Sequence, residues 1–234
     1  MTEVIPAILT DNFNELREQI SRVVNVSTVV QIDMCDGIFV PTITWPFNEL
    51  KGGHKENNID AILEEEEGLP FWDSLDFEFD LMVKDAHKQF EFFTRLGAKR
   101  IVFHLEAEDE KDFKEFLEAL DIYVKENIEI GLAINTTTDI DKLKPFINLV
   151  DFVQCMGIAN IGFQGEEFDE RVLNQIKELR SQYKELIISV DGSVNEITAP
   201  LLVKAGANRL VIGSAVMNSY DVRETIKEFE NLGV

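Results

Sequence analysis

The sequence predicts an α/β fold, a (β/α)8 barrel. Eight short apolar runs alternate with segments of helical periodicity across 234 residues. The runs are almost continuously hydrophobic, as strands of a parallel sheet buried on both faces must be. The third observation is chemical. Aspartates and other polar residues stand at the C-terminal ends of several runs, where a barrel gathers its functional groups. A doubly wound open sheet is the competing arrangement, but no glycine-rich turn follows the first run.

The expected strands are Val4–Ile8, Thr28–Asp33, Phe77–Met82, Arg100–His104, Glu129–Ile134, Phe152–Cys155, Leu186–Val190 and Arg209–Ile212. Between them, Asn12 or Asn14 supplies an N-cap for a helix to about Val23. Asp85 opens a helix that runs to Leu96 and ends at Gly97. Lys111 to Glu126 carries Phe113, Phe116, Leu117, Leu120 and Tyr123 at helical spacing. Further helices are expected over Glu167–Tyr183, over Asn195–Lys204 with a stop at Gly206, and over Asp221–Leu232. The connection from Gly37 to Asp76 is unusually long, with one short helix near Ile59–Glu67. It amounts to an insertion around residues 41–75, and a loop of that length is expected to cover or line the site. No linker rich in Pro, Gly or Ser divides the chain, so residues 1–234 are expected to form one domain.

Composition narrows the partners. The formal net charge is −22, from 44 acidic and 22 basic residues. Nucleic acid and anionic membranes both require basic patches and are not expected as partners. An anionic substrate gains no long-range attraction, so a phosphate would have to be held by local backbone N–H groups. No apolar run reaches the length of a membrane span. MTEVIPAILTDNF lacks the basic flank and apolar core of a signal peptide. Cys35 and Cys155 fit no zinc spacing. A reduced, cytoplasmic protein is expected. The run Glu64 to Glu67 reads as a solvated helix end.

Two segments stand out, QIDMCDG at 31–37 and SVDGSV at 189–194. Each puts an aspartate, Asp33 or Asp191, at the end of a strand. Two carboxylates in one pocket suit proton removal from a carbon on one face and proton return on the other. Gln31 shares a face with Asp33 because strand side chains repeat every two residues. Strand three adds Asp80 and Met82, strand four His104 and Glu106, strand five Asn135, and strand six Met156. Strand eight is followed by Gly213-Ser214-Ala215. Asp36, beside Gly37, reads as a turn residue, and Glu106 as a rim charge. His104 and Asp80 also admit plain structural readings, as a satisfied core histidine and as a carboxylate paired with a lysine or backbone amide. His54 and His87 read as exposed and receive no role. Three small-residue turns follow strands six, seven and eight: ANIGFQGEEF, DGSV and IGSAV. Loops of this kind in a barrel bind phosphate through backbone N–H groups.

These motifs resemble those of the ribulose-phosphate 3-epimerase family. The resemblance rests on PAILTDNF at 6–13, QIDMCDGIFVPTIT at 31–44, FDLMV at 79–83 and GAKRIVFHLEA at 97–107. It continues through VQCMGIANIGFQGEEF at 153–168, IISVDGSV at 187–194 and AGANRLVIGSAV at 205–216. It implies a TIM barrel of the ribulose-phosphate-binding type, with inversion at C3 of a ketopentose 5-phosphate (D-ribulose to D-xylulose 5-phosphate) through an enediolate. It implies acid/base roles for Asp33 and Asp191, and a divalent metal held by residues at positions 31, 33, 80 and 191. Gly162, Gly165, Gly192, Ser193, Gly213 and Ser214 match the phosphate cradle. Ala7, Met82, His104 and Met156 are expected in the pocket, Met156 at the place of a wall methionine. Homo-oligomers are common in such a family, and Trp45, Phe47, Phe71 and Trp72 are candidates for a subunit contact or for packing the insertion on its own barrel.

The chain departs from the family's pattern where the metal would sit. The two metal histidines fall at Gln31 and Asp80, and an early serine falls at Ala7. In the strand-six loop Ile161 stands for a proline and Gln164 for a glycine, and Glu166 and Glu167 add negative charge. A set of Gln31, Asp33, Asp80 and Asp191 is all oxygen and suits Mg²⁺ or Mn²⁺ better than Zn²⁺. A site that works without any metal is the other possibility. Two further functions stay open: a different sugar-phosphate enzyme on the same barrel, and a non-catalytic protein that binds sugar phosphate.

Overall fold

The computed structural model describes residues 2–52, 58–163 and 165–233. Eight parallel strands close into a barrel in sequence order. They are β1 (Glu3–Ile8), β2 (Val29–Cys35), β3 (Asp76–Met82), β4 (Ala98–His104), β5 (Glu129–Ile134), β6 (Phe152–Met156), β7 (Ile187–Asp191) and β8 (Arg209–Ile212). The last closes on the first, with Ile5 opposite Val211. The fold is therefore the TIM barrel expected from the alternation of runs. All eight strands arise from the predicted segments, because burial on both faces demands apolar residues throughout a strand interior. Only the ends move, and those at β2 and β7 matter. β2 runs two residues past Asp33, and β7 extends by one to take in Asp191, so both aspartates are held in strand register.

The helices differ more from expectation. Asn12 caps Phe13–Val23, accepting from the N–H groups of Asn14 and Glu15. The expected helix from Asp85 to Leu96 is a 3-10 turn, Ala86–Gln89, followed by an α-helix, Phe90–Arg95. Lys111 to Glu126 is two helices, Glu110–Ala119 and Ile122–Asn127. Leu120 breaks them with extended backbone (ψ 127°), and Asp121 then caps the second by accepting from the Val124 N–H. The apolar spacing of that stretch continues across the break, so periodicity alone joins them. The helix before β7 begins only at Arg171, and the one before β8 at Ala199, with Gly206 ending it at φ 123°. Between β5 and β6 there is a single 3-10 turn, Ile140–Leu143, where strict alternation would place a helix.

Among the described residues of the long β2–β3 connection, only the first part reaches the barrel mouth. The ring of Phe39 lies 5.6 Å from that of His104. Thr42 donates a 2.6 Å hydrogen bond to the Gly162 carbonyl of the β6 loop. The later described residues pack on the outside of the barrel. Trp45 is fully buried against Phe13, and Phe47 packs on Phe93. Helices Phe47–Gly52 and Asn58–Leu63 follow. Glu64 to Glu67 are exposed just past the second helix; Trp72 is also largely in solvent, and Phe71 is partly so.

The floor of the barrel is charged. Arg209 donates to Glu3 (2.7 Å) and Glu129 (3.0 Å), and Arg100 donates to Glu3 (2.9 Å). Arg209 also stacks over Phe152, 4.8 Å from its centroid. Glu78 is completely buried beside Arg100. Burial outweighs the two arginines there and pushes its carboxyl up to about 8. This plug closes the N-terminal end and leaves the opposite end as the only wide mouth among the described residues.

Candidate active site

A cavity of about 320 Å³ occupies that mouth. Ala7, Asp33, Met82, Met156, Gly162, Gly165, Asp191, Gly192, Ser193, Gly213 and Ser214 all line it. Gln31, Asp80 and His104 stand behind the wall, each with no exposed surface. The expected site residues thus all come to one end of the barrel. Glu166 also lines the cavity, and no lysine, arginine or histidine does so among the described residues.

The centre of the site is a set of three carboxylates. Asp33, Asp80 and Asp191 each place an oxygen within 4.8 Å of the others. Strand register explains the first pair, since Asp33 and Asp80 are partners on β2 and β3. Asp191 arrives from β7, across the barrel. Gln31 spans that gap. Its Nε2 donates to Asp33 Oδ1 at 2.7 Å and to Asp191 Oδ2 at 2.8 Å. Its Oε1 is buried and has no hydrogen-bond partner. Asp80 accepts from His104 Nε2 (2.7 Å) and from Gln154 Nε2 (3.1 Å).

The protonation chemistry follows from crowding. Burial, then the charges of Asp191 and Asp80, hold the Asp33 carboxyl well above the ordinary range, against the opposing hydrogen bond from Gln31. Burial and the charge of Asp80 push Asp191 up to about 7, while Gln31, His104 and the Gly192 N–H act in the other direction. For His104, burial works to lower the imidazole, but the charge and hydrogen bond of Asp80 outweigh it and the result is upward. Asp33 and Asp191 therefore both hold their protons more tightly than an ordinary carboxyl.

The loops around this centre are tightly fixed. Gly157 donates a 2.6 Å hydrogen bond to the Asp191 carbonyl. A side chain at Gly157 would place its Cβ only 2.1 Å from the Gly192 oxygen, so close approach requires glycine. Ser193 sits at φ 53°, a left-handed conformation that non-glycine residues adopt only when their surroundings hold them. Its hydroxyl donates to the Glu166 carbonyl, so what Ser193 offers a ligand is its backbone. The carboxylate of Glu166 accepts from Asn160 Nδ2 at 2.9 Å.

Several single-residue readings change. His87 is buried, not exposed, and its Nδ1 pairs with Glu108, while its ring packs beside those of Phe113 and Phe116. His54 lies outside the described residues. Asp80 pairs with an imidazole and an amide side chain, in place of the expected lysine or backbone amide. His104 fits its reading as a core histidine satisfied through Nε2, since it is fully buried and its ring nitrogen meets that carboxylate. Asp36 acts in the turn, accepting from the N–H groups of Ile38 and Phe39, and also from that of Lys84 on the next strand's loop. Glu106 holds the β5 loop through the Asn135 N–H and the Thr138 hydroxyl. Gln154 has no place in the sequence reading. Its spacing of two before Met156 is the available signal.

The family comparison agrees with this geometry. The sequence model of the ribulose-phosphate 3 epimerase family matches residues 3–217. The chain belongs to that family. The ribulose-phosphate 3-epimerase of Bacillus subtilis (strain 168) is 31% identical over 234 residues, covering 97% of this chain and 98% of that protein. The ribulose-phosphate 3-epimerase of Eremothecium gossypii is 30% identical, covering 95% of this chain and 89% of its own length. Among solved structures, the 3-keto-L-gulonate-6-phosphate decarboxylase from Vibrio cholerae superposes with a TM-score of 0.67. At 15% identity over 98% of this chain and 99% of that one, it shows the shared fold. Membership makes the chain an enzyme of the sugar-phosphate epimerase class. No helix among the described residues is long and apolar enough to cross a membrane.

Proposed function

We propose that this epimerase inverts C3 of D-ribulose 5-phosphate to give D-xylulose 5-phosphate, with Asp33 and Asp191 as its acid and base. The supporting observation is their placement on strands from opposite sides of the barrel, joined through one amide and facing one cavity. A proton must leave one face of C3 and another arrive on the opposite face. One ionised aspartate accepts the first, and the other, kept protonated by crowding and burial, supplies the second. In the reverse direction the roles exchange, which suits two groups with raised and coupled affinities for protons. Substrate enters beside Met82 and Met156, soft side chains that conform to a flexible sugar chain. With no cationic side chain on the wall among the described residues, the phosphate rests on backbone N–H groups at Ser193, Gly213 and Ser214, with Gly162 and Gly165 closing the other side. Gly192 serves this cradle indirectly, by fixing Asp191. Two buried free thiols fit the reducing conditions of the cytoplasm.

The donor set suits a divalent cation. Three carboxylates crowd together, at the cost of raised proton affinity at Asp33 and Asp191, and the Oε1 of Gln31 is buried without a partner. Gln31, Asp33, Asp80 and Asp191 would hold such an ion, and all-oxygen ligation favours Mg²⁺ or Mn²⁺ over Zn²⁺. Bound there, the ion supplies positive charge to the negative charge that develops on the substrate oxygens.

The test is chromatographic separation of the two pentulose phosphates after incubation with wild type, Asp33→Asn and Asp191→Asn. Wild type should interconvert them. Each variant should remain folded by circular dichroism and lose at least about 100-fold in kcat, the usual scale for a general acid or base. Turnover at the wild-type rate in either variant contradicts the two-base assignment.

A further inference from the structure

Gln31 is the least expected member of the site. It is fully buried, and its amide nitrogen donates to both Asp33 and Asp191, which commits both of its hydrogens. Its oxygen meets no donor. A buried amide oxygen without a partner is costly, and native chains retain such groups where another state satisfies them. Turning the amide by half a revolution about its last bond exchanges the positions of Nε2 and Oε1. The oxygen would then face two carboxylate oxygens at 2.7 and 2.8 Å. That contact is repulsive unless a cation lies among the three. Oxygens that share an octahedral Mg²⁺ at about 2.1 Å stand about 3.0 Å from one another along an edge. The spacing between the amide head and the two carboxylates is already close to that edge.

We propose that Gln31 is a two-state ligand. With no cation present, its NH₂ group bridges Asp33 and Asp191 and keeps the two acids aligned. When a divalent cation enters, the amide turns over, and Oε1 joins the carboxylates around the ion. Histidine at this position offers the ion a ring nitrogen in one state only. Glutamine offers a donor in one state and an acceptor in the other, so the acid pair stays assembled with or without metal. The ion must then displace two charge-assisted hydrogen bonds, which weakens its binding without disordering the site.

This inference rests on the reading of the site as a cation-assisted one, but its test reads a side chain and not turnover. The measurement is a ¹H–¹⁵N spectrum of side-chain amides in the full chain, first with chelator and then through a Mg²⁺ titration. The Gln31 pair is assigned as the one missing from Gln31→Leu, or from Gln31→Glu if the leucine variant does not fold. In chelator both protons should resonate downfield, as hydrogen-bonded donors to carboxylates do. Mg²⁺ should move them upfield along the same titration curve that raises the melting temperature. Gln31→Leu should bind Mg²⁺ at least about tenfold more weakly, and Gln31→Glu, which keeps an oxygen and loses the donors, should bind it more tightly than wild type. Two results overturn the proposal: thermal stabilisation by Mg²⁺ with the Gln31 resonances unmoved, or no response to Mg²⁺ in either measurement. An epimerase that turns over substrate yet gives one of those results keeps its function and loses this switch.

Discussion

Asp191 is the residue on which most depends, because it is both a proposed proton carrier and a buried, crowded carboxyl. That carboxyl is raised from 3.8 to about 7, by burial first and Asp80 second. The consequence for stability has a definite sign. Below the unfolded value the group is protonated in both states and carries no penalty. As the pH rises through about 7 the native carboxyl must ionise in place, and the advantage is lost. Asp191→Asn cannot ionise, so in chelator it should lose less stability than wild type between about pH 4 and about pH 7. Urea melts at a series of pH values measure this, and parallel curves for the two proteins would contradict it. At this scale the sequence is informative about position and silent about partners. Asp33, Asp80 and Asp191 are legible because strand ends and a spacing of two place them at one mouth. The His104–Asp80 and Gln154–Asp80 contacts are not, since the first joins neighbouring strands and the second crosses the barrel interior, and neither leaves a local spacing to read. His87 is misread for the same reason: Glu108, the group that makes its burial tolerable, is 21 residues away.

Among the elements, the joined loops after β6 and β7 do most to set the site. Gly157 and Gly192 pass so closely that no side chain fits at Gly157, and the Gly157 N–H grips the Asp191 carbonyl. Gly157→Ala should therefore cost about 1–3 kcal/mol, as overpacking does, and should lower kcat as well, because the displaced segment carries Asp191. Urea midpoints and kcat report the two effects separately. An alanine variant with wild-type kcat would show that this approach does not position the carboxylate. Strands are readable from the sequence because burial on both faces imposes a continuous apolar run. Helix limits are less so. Phe113, Phe116, Leu117, Leu120 and Tyr123 keep their spacing through the break at Leu120, and only the cap at Asp121 marks the new start. A short polar side chain at that place is a weak signal against five apolar ones.

Over the whole molecule, the barrel interior is divided by charge. Acids that face one another crowd the mouth, whereas paired acids and arginines seal the floor. Glu78 tests the floor independently of catalysis. It is pushed up to about 8, chiefly by burial, despite Arg100 and Arg209. Its contribution is full below its unfolded value near 4.5 and is lost as the pH rises through about 8. Glu78→Gln should thus compare more favourably with wild type above that pH than below it. A melting-temperature difference that does not change with pH would contradict this account of the floor. The overall net charge of −22 argues against nucleic acid as a partner, and the cavity is consistent with that. A wall that lacks a cationic side chain leaves the anionic end of a substrate to backbone dipoles.

The central claim is that Asp33 and Asp191 exchange protons with opposite faces of one carbon. The most direct measurement is proton NMR of D-ribulose 5-phosphate in heavy water with the protein, in chelator and then with Mg²⁺, Mn²⁺ or Zn²⁺. The account predicts deuterium at C3 together with D-xylulose 5-phosphate, fastest with Mg²⁺ or Mn²⁺, and loss of both signals in either aspartate-to-asparagine variant. Folded protein that exchanges no C3 proton under any of these conditions would contradict it.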